Sequence, residues 1–339
     1  MNSVRDYRIG VIGAGSWGTA LANMLAEKGY SVTLWVYERE LLELLLQGRC
    51  NTWYLPERAL DERLEFTGDL NRAVADKQVL LWVTPVKVFR ELFARALQAV
   101  DPSGIHASAS KGIEIQSLKT ISQIARELMP GCALDRFAVV SGPSFAQEVA
   151  LKMPSAVVSA SCSEDTARTV QTILATPYFR TYTSTDVPGV ELGGALKNVM
   201  AIAAGIVAGL GFGANTRAAL ITRGLAEIMR LGAALGADPL TFSGLSGIGD
   251  LLLTCTSTQS RNYTVGLEIG RGARLEEIMK NMKMVAEGVY TAQSAHALAD
   301  KHGIDMPIVR EIYAVLFDDK PPRRALEDLM GRDLKQETR

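Results

Sequence analysis

The sequence predicts an α/β fold: a doubly wound, mainly parallel sheet in the first part of the chain, followed by an all-helical second domain. The 339 residues exceed the roughly 250–300 at which a single core stops growing, so two domains are expected. Short β-branched runs alternate with helical patterns as far as Pro188, and no strand-like alternation follows. We therefore predict an α/β domain over residues 1–188 and a helical domain over residues 189–339, with the boundary at Pro188-Gly189.

In the first domain, strands are predicted where β-branched and apolar residues cluster. They span residues 8–12, 32–36, 79–83, 105–108, 137–140, 156–160 and 179–182. Helical patterns separate most of them, at residues 16–28, 86–99, 118–129, 145–150 and 164–174. This alternation implies parallel strands with helices on both faces of the sheet.

The second domain is predicted to be helical because long Ala-, Leu- and Gly-rich stretches of helical period replace the strands. The helices span residues 191–210, 216–235, 263–270, 275–280, 291–302 and 309–316. The uncharged stretch 198–214 is shorter than the roughly 20 residues that cross a membrane, and it contains several glycines. We expect it to be a buried central helix with no membrane insertion. The apolar helices of this domain also offer a face for a homodimer.

Composition excludes several classes of function. The formal net charge is −1 and there is no basic stripe, so we expect no nucleic-acid partner. The four cysteines (Cys50, Cys132, Cys162 and Cys255) have neither a disulfide framework nor zinc spacing, which fits reduced thiols and no metal site. The charged N-terminus is not typical of a signal peptide. A cytoplasmic protein is expected.

Three glycines, Gly13, Gly15 and Gly18, follow the first strand and open the first helix, as the GxGxxG pattern requires. Gly15 would let the backbone approach a pyrophosphate, while Gly13 and Gly18 would permit the tight turn and close helix packing. The helix start adds free amides and partial positive charge. The pattern predicts a site for a nicotinamide dinucleotide.

The residues after the second predicted strand bear on the choice between NAD and NADP. Glu38 lies 20 residues after Gly18, where a carboxylate would bind the ribose hydroxyls and favour NAD. Its neighbour Arg39 would instead accommodate the 2′-phosphate of NADP, and Tyr37 would pack against the adenine. These residues leave both cofactors open.

Two predicted strands end in residues suited to ligand binding, at the sheet edge where doubly wound folds hold their ligands. Lys111 stands alone after one strand and is followed by a glycine, so it is either a ligand-contacting cation or a solvated loop lysine. Gly142 and Ser144 follow another strand. Ser144 is either the N-cap of the helix at 145–150 or part of an anion site at that helix start.

The helical domain carries a lysine in an apolar setting. Lys197 lies in the run GGALKNVMAIAA, where a buried ammonium needs a partner or a lowered pKa. Such a lysine is suited to general acid–base catalysis, whereas a snorkelling surface lysine is the plainer alternative. Asp250 precedes the apolar run Leu251–Leu253 and is either a helix N-cap or the carboxylate that orients Lys197.

A dense run of hydroxyl and amide side chains over residues 254–262 ends in Ser260, Arg261 and Asn262. A phosphate site uses such a set, because a guanidinium binds phosphate oxygens in a planar fork and neutral donors support it. The alternative is a plain polar loop.

Taken together, these stretches resemble the bacterial NAD(P)-dependent sn-glycerol-3-phosphate dehydrogenase family. The matching runs are GAGSWGTALA at 13–22, NTWYLP at 51–56, SASKGIE at 108–114, SGPSFAQEVA at 141–150, GVELGGALKNVMAIAAGI at 189–206, SGIGDLLLTCTS at 246–257, SRN at 260–262 and VAEGVYTA at 285–292. They occur in order across both predicted domains.

The resemblance implies a Rossmann-type first domain and a second domain like the C-terminal domain of 6-phosphogluconate dehydrogenase. It implies interconversion of dihydroxyacetone phosphate and sn-glycerol 3-phosphate by hydride transfer with NAD(P)H. It also implies a place in phospholipid synthesis, as the source of the glycerol phosphate backbone.

The resemblance further implies roles for individual residues, with Lys197 as the proton donor and acceptor at the substrate C2 oxygen. The substrate site would comprise Lys111, Gly142, Ser144, Lys197, Asp250, Ser260, Arg261 and Asn262. The cofactor site would comprise Gly13, Gly15, Ser16, Trp17, Gly18, Tyr37, Glu38, Tyr54, Lys111, Ala146, Arg261, Val285 and Glu287. Because Asp250 alone would raise the pKa of Lys197, burial and a second cation such as Lys111 must oppose it.

Two other classes are weighed against this one. A related 3-hydroxyacid or 6-phosphogluconate-type dehydrogenase also places a lysine on the first helix of its helical domain, but it is not expected to carry both SGPSFAQE and GDLLLTCTS. A non-catalytic dinucleotide sensor is expected to have lost Lys197 or Asp250, and both are present.

Overall fold

Eight strands form the central sheet of the first domain in the computed structural model, which describes residues 7–129, 134–282, 285–334 and 336–337 and so leaves Cys132 outside. They are β1 Arg8–Ile12, β2 Ser31–Trp35, β5 Leu64–Thr67, β6 Val79–Trp82, β7 Ile105–Ser108, β8 Phe137–Ser141, β9 Ser155–Ala160 and β10 Phe179–Ser184. Their order is β10-β9-β8-β7-β6-β1-β2-β5, and every neighbouring pair is parallel except β8 with β9. The predicted mainly parallel sheet is confirmed.

Helices cover both faces of this sheet. They are α1 Ser16–Glu27, α2 Arg39–Gly48, α3 Leu70–Val74, α4 Val86–Ala96, α5 Ile121–Leu128, α6 Ala146–Ala150 and α7 Glu164–Leu174. Val11 lies in one hydrophobic cluster with Leu25 of α1, and its neighbour Ile12 lies in another with Phe89 of α4. Successive strand side chains point to opposite faces, so the near-continuous apolar runs fill two cores.

The second domain is helical, as predicted. Its helices are α8 Val187–Gly209, α9 Ala214–Ala234, α10 Asp250–Thr256, α11 Arg261–Gly270, α12 Leu275–Asn281, α13 Glu287–His302, α14 Pro307–Phe317 and α15 Pro322–Met330. A Cβ added to Gly205 of α8 would lie 2.1 Å from the Tyr263 carbonyl oxygen, and one on Gly266 of α11 would lie 2.0 Å from that of Ile202. Glycines therefore let the backbones of α8 and α11 touch, which explains the small-residue texture of this region.

Helix α8 is the central element of the second domain. Its length and apolar composition alone would suit a membrane span, but 89% of its most apolar window is buried inside the protein. It begins earlier than predicted, because the Asp186 carboxylate caps the Gly189 amide at 3.0 Å and Pro188 fits the first turn. The predicted boundary Pro188-Gly189 thus lies within this turn. The division of the chain at that point remains a prediction.

Several elements escaped the sequence patterns. They are β5, the two-stranded ladder of β3 Cys50–Asn51 and β4 Leu55–Ala59, and helices α2, α3 and α15. Only Leu55 of β4 is buried, so that strand lacks the alternation that predicts one. The helix predicted at 118–129 begins at Ile121, because Leu118 has a φ of +57° and Thr120 forms a capping box with Gln123.

Candidate active site

The carboxyl ends of β7 and β8 carry the first two site residues. Lys111 follows β7, and its Nζ donates to the carbonyl oxygen of Gly142, just after β8, at 3.3 Å. The same Nζ lies 2.6 Å from Oδ2 of Asp250, although these residues are 139 positions apart. The Lys111 side chain is only 19% exposed, so it is not a solvated loop lysine.

Asp250 begins α10 directly after a π-helical turn, Leu245–Gly249. Gly247 within that turn has φ −98° and ψ −108°, and an added Cβ would lie 2.1 Å from the Phe242 carbonyl oxygen. A Cβ on Gly193 of α8 would likewise lie 2.3 Å from the Ser246 carbonyl oxygen. The close approach of this turn to α8 brings Asp250 against Lys197. Gly249 is the N-cap of α10, so the N-cap interpretation of Asp250 is wrong.

Lys197 lies on α8 with its Nζ 2.5 Å from Asp250 Oδ1 and 2.9 Å from Thr254 Oγ1. Its side chain is 9% exposed, which excludes a snorkelling lysine. Thr254 in turn donates to the Asp250 carbonyl oxygen at 2.6 Å. This threonine was not selected from the sequence. The signal was its spacing, since residues four apart share one face of a helix.

One carboxylate shared by two lysines sets the protonation of this cluster. Burial lowers the pKa of Lys197, Asp250 raises it, Lys111 lowers it further, and the balance lies at about 7. Although burial raises the pKa of Asp250, the ammonium groups of Lys111 and Lys197 hold it below its ordinary value. The cluster therefore pairs a permanent carboxylate with a lysine that gains and loses its proton near neutral pH.

Asn198, the residue after Lys197, is hydrogen-bonded to Asn262. Asn262 Nδ2 donates to Asn198 Oδ1 at 2.9 Å, and the Gly288 amide donates to Asn262 Oδ1 at 2.9 Å. A Cβ on Gly288 would come within 2.8 Å of Asn262 Oδ1. Asn262 thus joins α8, α11 and α13 beside the lysine cluster.

The polar run over residues 254–262 is divided by the fold. Thr254 faces Lys197, whereas Ser260 is the N-cap of α11 and accepts from the Tyr263 amide at 3.2 Å. Arg261 donates from Nη1 to the Val285 carbonyl oxygen at 3.0 Å. Burial lowers the pKa of Arg261, and the nearby Glu287 carboxylate opposes this. A guanidinium stays protonated under such shifts, so Arg261 keeps its positive charge.

The glycine-rich turn has the geometry that a pyrophosphate needs. A Cβ added to Gly18 would lie 1.9 Å from the Gly13 carbonyl oxygen, and Gly13 has a φ of +119°. By contrast, a Cβ on Gly15 would meet no atom within 4 Å. Tight packing around two of the glycines and open space at the third fit a ligand that approaches the start of α1.

A short segment between α2 and β4 braces this turn. Asn51 Nδ2 donates to the Ala14 carbonyl oxygen at 2.8 Å, and Ser16 Oγ donates to the Tyr54 carbonyl oxygen at 2.6 Å. The Tyr54 hydroxyl donates to Glu38 Oε1 at 2.9 Å. Burial and the Glu38 carboxylate together raise the pKa of Tyr54 to about 12. Ser16, Tyr54 and Glu38 therefore lie along one side of the turn.

Glu287, at the start of α13, carries a buried Oε1 without a hydrogen-bond partner among the described residues. A Cβ on Gly112 would lie 3.3 Å from Glu287 Oε2. Burial raises the pKa of Glu287 to about 7, against the opposing effects of the Val86 amide and Arg261. Buried polar atoms are usually bonded, so an unpaired one here is a candidate contact for a ligand.

Three other residues of the predicted cofactor site lie outside these hydrogen-bonded groups. Tyr37 is 78% exposed, with its ring centroid 6.0 Å from that of Trp35. The Trp17 ring packs on Phe179 at 6.1 Å. Ala146 begins α6.

Ser144 was weighed as the N-cap of the helix that follows it, and this interpretation is wrong. Phe145 holds the N-cap position of α6, and Ser144 Oγ donates to the Gly142 carbonyl oxygen at 3.0 Å.

The fold and the site together define a class. A doubly wound sheet with a GxGxxG turn, followed by a helical domain with a buried lysine beside the sheet's carboxyl edge, is the architecture of a two-domain, nicotinamide-dependent dehydrogenase.

Comparisons with known proteins identify the family. Residues 8–167 match the N-terminal domain of NAD-dependent glycerol-3-phosphate dehydrogenase, and residues 186–327 match its C-terminal domain. The chain belongs to this family. A protein from Geobacter metallireducens named glycerol-3-phosphate dehydrogenase [NAD(P)+] is 55% identical over 97% of this chain and 98% of its own length. The crystal structure of glycerol-3-phosphate dehydrogenase from Coxiella burnetii is 37% identical with a TM-score of 0.91, covering 97% of this chain and 100% of that one.

Proposed function

We propose that this protein interconverts dihydroxyacetone phosphate and sn-glycerol 3-phosphate, with NAD(H) or NADP(H) as the hydride carrier. The observation that carries the proposal is the Asp250 carboxylate shared between Lys111 and Lys197 at the carboxyl edge of the sheet. Reduction of a ketone to an alcohol requires one proton at the oxygen. The buried Nζ of Lys197 would supply that proton. In cells, the reduction would supply the glycerol phosphate backbone for phospholipid synthesis.

Lys197 is the general acid–base group of the proposal. In the reducing direction its protonated Nζ gives a proton to the C2 oxygen as negative charge develops there. In the oxidising direction the neutral amine takes that proton back. A pKa of about 7 suits both directions, because a proton-transfer group works best when its pKa lies near the working pH.

Asp250, Thr254 and Lys111 hold this lysine in place. Asp250 and Thr254 fix two directions around Nζ, at 2.5 and 2.9 Å, which leaves the third N–H for the substrate oxygen. Lys111 neutralises the carboxylate from its other side and keeps the pKa of Lys197 from rising. We further propose that Lys111, Gly142 and Ser144 line the substrate site where β7 and β8 end.

The phosphate of the substrate would lie near Arg261, Ser260 and Asn262, at the start of α11. The support is charge and position, because a ten-residue helix begins there with a guanidinium at its first residue. Binding energy from this remote group would position the carbonyl and exclude unphosphorylated dihydroxyacetone.

The residues around the glycine-rich turn fit a nicotinamide dinucleotide. Open space at Gly15 and the unpaired Oε1 of Glu287 support two contact points, with Ser16, Tyr54 and Glu38 beside the turn. When bound, the nicotinamide ring supplies or accepts the hydride. Trp17, Tyr37, Ala146, Arg261 and Val285 complete the proposed cofactor site. Glu38 is held by Tyr54, whereas Arg39 pairs with Glu43 on the surface.

The test is a spectrophotometric assay of purified protein with dihydroxyacetone phosphate and NADH or NADPH in parallel. Loss of absorbance with either cofactor is expected, and the ratio of kcat/KM measures the preference. Unphosphorylated dihydroxyacetone is the matched control and should react far more slowly. If neither cofactor is oxidised, the proposed function is wrong.

We propose a cytoplasmic location and a homodimer, supported by free thiols at Cys50, Cys162 and Cys255 and by the apolar faces of the helical domain. Sedimentation equilibrium would test the homodimer, and a monomer mass at micromolar concentration would exclude it.

A further inference from the structure

A cavity lies between the two domains, away from the Lys197 cluster. Its volume is about 700 Å³, and it is lined from α5 and the start of β8 on one side and from α8 and α13 on the other. Phe137, which lines it, is the first residue of β8, whereas Gly142 of the candidate active site follows the last. At roughly 3.3 Å per residue, Phe137 and Gly142 are about 16 Å apart, so the cavity is separate from the candidate active site.

The lining of this interdomain cavity is mostly apolar. Leu118, Pro188 and Leu235 line it without being fully buried, so they present apolar surface to the cavity, whereas Phe137, Val187, Leu192 and Leu298 lie behind that surface. Its volume falls within the roughly 300–1,000 Å³ of small-molecule sites, which are typically apolar with a few convergent polar groups. The wall therefore suits the apolar body of a small organic molecule.

The charges around the cavity favour an anion. Lys119 is paired with Glu127 at 2.6 Å. Arg126 and Lys301 also line the cavity, and neither forms a hydrogen bond or ion pair with a residue in the described part of the chain. Arg126 is near enough only to act electrostatically on Glu191. Arg126 and Lys301 therefore line the cavity from opposite domains, and neither is neutralised by an ion pair with a described residue.

The two acidic residues of the wall are already satisfied, Glu127 by Arg90 and Lys119 and Glu191 by three hydrogen bonds. The Glu191 carboxylate accepts from the Ser122 amide at 2.8 Å, from Thr120 Oγ1 at 2.7 Å and from Ser122 Oγ at 2.5 Å. Because three donors at the start of α5 hold the Glu191 carboxylate, it forms no ion pair with Arg126 or Lys301.

We propose that this interdomain cavity binds a small organic anion, with its acid group held by Arg126 and Lys301 and its apolar body packed on Leu118, Pro188 and Leu235. The ligand class is an aryl or alkyl compound bearing a phosphate, sulfonate or carboxylate. Its binding would bridge the two domains beside the Glu191 contact.

Calorimetric titration with 1-naphthalenesulfonate tests this site, in the presence of saturating NAD⁺ and inorganic phosphate, which do not react with each other, so that the candidate active site is filled without turnover. One molecule is expected to bind per chain. Methanesulfonate, which keeps the acid group and lacks the apolar body, should bind at least ~10-fold more weakly. The double variant Arg126→Gln/Lys301→Gln should also lose at least ~10-fold in affinity for 1-naphthalenesulfonate, as loss of two charge-assisted contacts predicts.

The matched control is Arg95→Gln, which removes an exposed arginine of α4 that does not line the cavity, and its affinity should equal that of the wild type. The melting temperature of each variant checks that it is folded. The proposal is overturned if 1-naphthalenesulfonate does not bind at millimolar concentration, or if the double variant and the wild type bind it equally. Neither readout depends on turnover.

Discussion

Two polar residues on α8 meet opposite kinds of partner. Lys197 contacts a carboxylate that is shared with a second lysine, whereas Glu191, six residues earlier, contacts only the hydroxyls and amide of Thr120 and Ser122. Both lie in a buried, otherwise apolar helix. The charged partners adjust the protonation of Lys197, while the neutral donors fix the position of Glu191. The difference separates a contact that we propose serves proton transfer from one that we expect to hold geometry.

We expect the hydrogen bonds of Glu191 to support the position of Lys197. Thr120 and Ser122 lie just after the segment that carries Lys111, and Glu191 lies on the helix that carries Lys197. The bonds between them join these two pieces of chain. We therefore expect the Glu191 contact to help hold the Lys111 segment against α8.

Replacement of Lys197 should have the largest effect. Lys197→Ala removes the proton donor, so kcat should fall by at least ~10²-fold, as is usual for loss of a general acid. Cofactor affinity, measured by fluorescence titration with NADH, should change little. Lys280→Ala on the exposed face of α12 is the matched control and should keep full turnover. An active Lys197→Ala enzyme would show that the proton comes from elsewhere.

Replacement of Glu191 should act on stability. Glu191→Ala leaves the buried Ser122 amide and the hydroxyl of Thr120 without their acceptor, so the free energy of unfolding should fall by about 2 kcal/mol. Glu191→Gln retains an acceptor oxygen and should lose less. Urea denaturation measures both changes. If the alanine variant is as stable as the wild type, the contact does not hold α5 to α8.

Replacement of Lys111 should have a smaller effect, on pH dependence. Lys111→Met leaves Lys197 facing Asp250 without a competing cation, so the pKa of Lys197 should rise. The pH at which glycerol phosphate oxidation reaches half its maximal kcat should move upward by about one unit, because the base must be neutral to accept a proton. Lys119→Met, later in the same segment, should leave the profile in place. A downward shift in the Lys111 variant would contradict the conclusion that Lys111 lowers the pKa of Lys197.

Local patterns in the sequence account for much of this fold. Strand–helix alternation predicted the parallel sheet, and the glycine spacing at Gly13 predicted the dinucleotide turn. The apolar run around Lys197 predicted its burial and its lowered pKa. These features depend on residues that are close to one another in the sequence.

The features that escaped prediction depend on distant partners. Glu191 meets Ser122 across 69 positions. Lys111 was expected beside Lys197 only through the family resemblance, and its contact with Asp250 spans 139 positions. Nothing local marks Glu191 as the acceptor of three hydrogen bonds. Thr254 was hidden for a different reason, since its spacing from Asp250 gains meaning only once α10 is known to face Lys197.

The central claim is that Lys197 exchanges a proton with the substrate near neutral pH. The most direct test measures kcat against pH in both directions, with saturating substrates. As pH rises through about 7, reduction of dihydroxyacetone phosphate should slow because the acid is lost, and oxidation of glycerol 3-phosphate should accelerate because the base is formed. Profiles that are flat from pH 6 to 9, or that change only near the ordinary lysine pKa of about 10.4, would contradict the account.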